Sequence, residues 1–114
     1  MNNDLKFNEQ QAHQELCNYL HNELWLPKNT DYGNSFHDLY NDLGIISAVT
    51  QIVHKCNRIK TVAKMKANGK NPNVNESLRD TLLDMANYCV MTVMELDREE
   101  NKQNESSEAK QFSY

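Results

Sequence analysis

Apolar residues near the end of the chain recur at steps of three and four: Leu78, Leu82, Met85, Cys89, Val93 and Leu96. That spacing gathers them on one helical face and predicts a helix from Asn75 to Asp97. Glu76, Asp80, Asp84 and Asn87 recur at the same steps on the opposite side. Upstream, Ile45, Val49, Ile52, Val53, Cys56, Ile59 and Ala63 form a second apolar face, with Ser47, Gln51, His54 and Arg58 opposite and Lys55 at the border. This second helix is predicted from Phe36 to about Met65, weakened or broken at Leu43-Gly44. A first helix is predicted from Glu9 to Leu24, on a stripe of Ala12, Leu16, Tyr19, Leu20 and Leu24.

The connections follow from turn and cap chemistry. Asn8 and Gln11 resemble a capping pair before the first helix, and Pro27 disfavours helix at Leu26. Lys28 to Phe36 reads as a turn, with Ser35 capping the second helix and Asp38 as its partner. Lys66 to Val74 reads as a polar loop, short enough to make its two flanking helices antiparallel neighbours. Asn73 or Asn75 caps the third helix. After Asp97 almost no apolar residue occurs until Phe112, which predicts a helix fraying into a disordered polar tail over 98–114. The expected architecture is all-α: one domain over 1–97, a small bundle of three main helices around an antiparallel long pair. Val90, Met91 and Met94 add apolar groups beyond the main stripe, more than three helices bury, so a homo-dimer or larger oligomer is expected to complete the bundle.

Composition narrows the function classes. The chain has 114 residues, three glycines and two prolines, which favours helix. No run approaches the ~20 apolar residues of a membrane span, and the first residues lack the apolar centre of a signal peptide. Cys17, Cys56 and Cys89 each fall on an apolar stripe and are expected as reduced core residues of a cytoplasmic protein. The net charge is −4, yet no carboxylate occurs between Asp42 and Glu76. That interval holds Lys55, Arg58, Lys60, Lys64, Lys66 and Lys70, half of the basic residues. A basic middle in an acidic chain suits an anionic ligand or an acidic partner better than duplex nucleic acid.

Across the antiparallel pair, Lys55 falls level with Asp84, and Arg58 with Asp80 or Glu76. Two readings stay open. One is a ladder of interhelical salt bridges. The other is a polar pocket in which Lys55 and Arg58 receive phosphate while the carboxylates hold a metal, ribose or base edge; the arginine fork suits phosphate because it makes two hydrogen bonds at once. Asp31-Tyr32-Gly33 is either a plain turn or a holder of Tyr32 against a base, with Ser35 offered to a phosphate. Glu76, Asp80 and Asp84 line one wall of a conceivable magnesium site, but the facing helix offers lysine and arginine, which repel a cation. Zinc spacing, glycine-rich phosphate loops and an exposed nucleophilic cysteine are not evident.

Several blocks resemble the family called nucleotide modification associated domain, type 1: Lys28-x-x-Asp31-Tyr32-Gly33-x-Ser35-Phe36, then Gly44, then Lys55-x-x-Arg58, then Asn75-Glu76-Ser77-x-x-Asp80-Thr81-Leu82-x-Asp84-x-Ala86-Asn87-Tyr88. The likeness covers about Lys28 to Leu96. The resemblance implies a small helical domain found largely in phages, linked to nucleotide metabolism or base modification, and hence located in a bacterial cytoplasm. The helical pattern is more distantly similar to the all-alpha nucleoside triphosphate pyrophosphatases, the MazG and dimeric dUTPase group. Those carry acid pairs on two helices; here only Glu76, Asp80 and Asp84 correspond, and Lys55 and Arg58 stand where the other acids belong.

The function expected from these observations is binding of a nucleotide or nucleotide-derived molecule, for nucleotide modification or for sequestering a host-defence signal. Its ligand contacts are Asp31, Tyr32, Ser35, Gln51, Lys55, Arg58, Glu76, Asp80, Asp84 and Asn87. The alternatives are a magnesium-dependent pyrophosphohydrolase using Glu76, Asp80 and Asp84, or a protein-interaction module. No cofactor is implied outside the enzyme alternative.

Overall fold

The computed structural model describes residues 7–32, 34–69 and 73–112, with side chains for 7–29, 34–69 and 73–105. Every element among them is helical: α1 (Glu9–Tyr19), a π-helical segment (Leu20–Trp25), α2 (Leu26–Tyr32), α3 (Ser35–Leu43), α4 (Ile45–Ala67) and α5 (Val74–Phe112). No described helix is long and apolar enough to cross a membrane. The chain falls into two compact units, residues 1–33 and 34–114.

In the first unit Asn8 caps α1, its side chain accepting from the Gln11 N–H at 3.1 Å. The helical run does not end at Leu24. It passes through the π segment and continues beyond Pro27 to Tyr32. A proline ring clashes with the carbonyl four residues back in a regular α-helix. Widening the preceding turns relieves that conflict: the Leu26 N–H reaches back five residues to the His21 carbonyl. The His21 and Trp25 rings stack within this segment, centroids 5.4 Å apart.

The second unit is a helical hairpin of α4 and α5 with α3 against it. Asn34, one residue before the predicted Ser35, caps α3 by accepting from the His37 N–H at 3.4 Å. Gly44 separates α3 from α4 at φ 76° and ψ −165°, a conformation essentially reserved for glycine. The Ser47 hydroxyl then donates to the Gly44 carbonyl at 2.8 Å. The Ser77 N–H bonds the Asn73 carbonyl at 3.1 Å, so Asn73 leads into α5. α5 does not stop near Asp97 but runs on to Phe112.

The hairpin closes on an unexpected face. The buried positions are Ser47, Ala48 and Val62 on α4, and Val74, Thr81, Asn87, Thr92 and Glu95 on α5. The two stripes predicted as core lie largely open: Val49 is 41 % exposed, Leu82 49 % and Val93 54 %. Cys17, Cys56 and Cys89 are likewise exposed rather than buried. The reason is geometric. The seam lies roughly a third of a turn round each helix from its apolar stripe, with Ile52, Ile59, Leu78 and Met85 half-buried between the two. Because the helices are antiparallel, the stripes come to the same side of the hairpin and the polar stripes to the other.

Candidate functional site

The polar side of the hairpin carries most of the predicted residues. Lys55 and Asp84 meet across the seam, Nζ to Oδ2 at 3.5 Å, both half-buried. The Lys55 ammonium also stands 6.0 Å from the centre of the Tyr88 ring, within cation–π range. The Phe36 ring of α3 tilts against Tyr88 with centroids 6.0 Å apart. Lys55 is thus committed to a carboxylate and an aromatic face.

Arg58 differs. Its Nε–H donates to the Thr81 hydroxyl at 3.3 Å, and among the described residues no carboxylate pairs with it. The predicted partners Asp80 and Glu76 are exposed. Thr81 takes their place because its side chain faces the seam, and Asp80 points about 100° away round the helix. The Thr81 hydroxyl in turn donates to the Ser77 carbonyl at 2.8 Å. Arg58 opens onto a groove of about 490 Å³ lined by Asn57, Arg58, Thr61, Val62, Met65 and Ser77. A guanidinium, the Ser77 hydroxyl and an amide stand there as donors beside a small apolar wall, while the Thr61 hydroxyl donates to the Asn57 carbonyl at 3.2 Å; the surface suits an anion with an apolar appendage.

Of the other predicted residues, Gln51 is half-buried on α4 and Ser35 is exposed at the start of α3. Asn87 is 5 % exposed. No hydrogen bond to its side chain forms among the described residues, although its amide keeps some contact with solvent. Asp31 and Tyr32 lie in α2 rather than in a turn, and their side chains are outside the described residues. Glu76, Asp80 and Asp84 do not converge. Among the described residues no group of three histidine, cysteine or carboxylate side chains gathers at a metal-binding distance.

Residues 28–96 match the family model of nucleotide modification associated domain 1. The chain belongs to this family. No curated protein and no solved structure matches it. The matched stretch of this nucleotide modification associated domain takes in the end of α2, all of α3 and α4, and α5 as far as Leu96.

Sequence reasoning missed a second polar cluster, where α3 meets α5. His37, which looks isolated in sequence, bonds through Nδ1 to Glu95 Oε1 at 2.6 Å. Asn41 Nδ2 lies 3.1 Å from its other ring nitrogen. Glu95 is 5 % exposed and also meets Arg98 at 3.7 Å. Tyr40 is buried nearby; burial, then a hydrogen bond to the Glu99 carboxylate and the negative charges of Glu99 and Glu95, raise its pKa above 10.0. The available signal was the helical step linking Asp84, Tyr88, Thr92 and Glu95, polar residues along one line that marks the seam.

Proposed function

We propose that this nucleotide modification associated domain binds a phosphate-bearing, nucleotide-type ligand on the polar side of its hairpin, with Arg58 as the anion anchor. The observation that carries the reading is the contrast between the two cations of the seam. Lys55 has a carboxylate, whereas among the described residues Arg58 has only a hydroxyl, and it faces a groove. An arginine held at a concave surface without a carboxylate leaves its fork available to phosphate oxygens. Ser77 and Asn57 supply further donors, Thr61, whose own proton goes to the Asn57 carbonyl, offers an acceptor, and Val62 and Met65 give a sugar or base an apolar rest. The family's description, a domain associated with nucleotide modification, is compatible with such a ligand. In a phage setting the bound nucleotide is either offered for modification or withheld from a host signal, and both roles begin with binding.

Thermal shift against nucleoside mono-, di- and triphosphates and cyclic or ADP-ribose-type nucleotides tests this. A ligand specific to the folded state raises the midpoint in step with its concentration. Arg58→Ala is expected to weaken binding by about ten- to a hundredfold, the loss of a charge-assisted hydrogen-bond pair worth ~1.5–3 kcal/mol. Analysis of the recovered nucleotide separates turnover from binding. A panel without any shift, or a shift that Arg58→Ala leaves intact, sinks the proposal.

A further inference from the structure

Among the described residues of its own unit, nothing covers the apolar side of the hairpin. Ile46 is 67 % exposed, Val53 46 % and Leu82 49 %, and Cys56 and Cys89 lie exposed along the same stripes. The core left behind is slight. Its buried hydrophobic residues are Tyr40, Ala48, Val62 and Val74, and among the described residues no large side chain is fully buried. A polar seam with an open apolar side is the reverse of a helix pair that is stable alone, because the apolar face of a helix is the one that must leave water.

The open side is two helices, roughly 20 Å, wide, and from Leu78 to Leu96 it is about 27 Å long. That footprint is roughly 540 Å² before the relief of its side chains, which brings it toward the ~800 Å² that each partner gives to a stable interface. We propose that a second copy of this chain covers it, the two hairpins meeting apolar side to apolar side about a two-fold axis as a four-helix bundle. The width of the face favours this occupant: an identical two-helix layer matches it, whereas a single helical run such as residues 9–32 leaves a strip uncovered. The missing core favours it too. A cover needed for folding must be present whenever the chain is folded, and a second copy is always supplied in equal amount.

Two measurements on the full-length protein test the interface together: solution mass by sedimentation equilibrium, and maleimide labelling of each cysteine under native conditions and in urea. The expected result is twice the mass of one chain, with Cys56 and Cys89 reacting at least about tenfold more slowly in the native protein than in urea, since a covered thiol is shielded from reagent. A mass of one chain overturns the proposal; protection of the two thiols in such a monomer would assign the cover to residues 1–33. A dimer whose Cys56 and Cys89 react as fast as in urea overturns it as well, because the interface then lies elsewhere. Thiol protection that depends on a co-purified protein of another sequence has the same consequence.

Discussion

At the scale of single residues, the molecule spends its burial on polar groups. Glu95 is the clearest case: a carboxylate 5 % exposed, satisfied by His37 and Arg98. Truncating it strands the His37 N–H in a part-buried place, and leaving such a donor unmade costs about 1–3 kcal/mol. Glu95→Ala is therefore expected to lower the urea unfolding free energy by that amount, and a neutral result would mean that the cluster contributes little. Tyr40 gives a pH signature. Burial and its acidic neighbours raise its folded pKa above 10.0, so the folded state holds this proton more tightly than the unfolded chain. Its contribution to stability is complete below about pH 10 and is lost as pH rises through the folded value. Urea midpoints followed into the alkaline range should fall more steeply for the wild type than for Tyr40→Phe; parallel curves would contradict the assignment. Little of this was legible in the sequence. The level pairing of Lys55 with Asp84 was, because antiparallel register follows from the loop. The pairing of Arg58 with Thr81, and of His37 with Glu95 across 58 positions, depends on which degree of each helix faces the seam, and hydrophobic periodicity pointed to the wrong degree.

At the scale of elements, the helices themselves were readable and their ends less so. The break at Gly44 follows from glycine's backbone freedom, and its φ of 76° shows why the residue stands there. An added Cβ meets nothing within 4 Å, so the cost of Gly44→Ala is torsional, about 1–3 kcal/mol. Its thermal midpoint should drop with the helical signal unchanged; an undiminished midpoint would show that the turn relaxes freely. The continuation beyond Pro27 was not readable, because a π-helical detour absorbs the ring that ordinarily ends a helix. The length of α5 was hidden for a different reason. Its last residues carry no apolar stripe, yet Glu, Lys, Gln and Ala have high intrinsic helix propensity, and propensity rather than packing writes that part of the element.

At the scale of the molecule, the hairpin has two sides with different chemistry. One is apolar and open along α4 and α5; the other joins the Lys55–Asp84 pair, the buried Asn87 and the Arg58 groove. The fold class was legible from period and composition. Which side would be left open was not, since an apolar stripe is ordinarily assigned to the core of its own chain. A ligand held by Arg58 is held largely by charge on an exposed surface, so its affinity should fall as salt rises toward a few tenths molar, where the Debye length shortens below ~8 Å. The most direct test of the central claim maps the ligand onto the chain. Nitrogen-15-labelled protein titrated with the same nucleotides is expected to show concentration-dependent shifts at Asn57, Arg58, Thr61, Val62, Met65 and Ser77, and Arg58→Ala is expected to lose them. Shifts confined to other residues, or a spectrum unmoved by every nucleotide, would contradict the account.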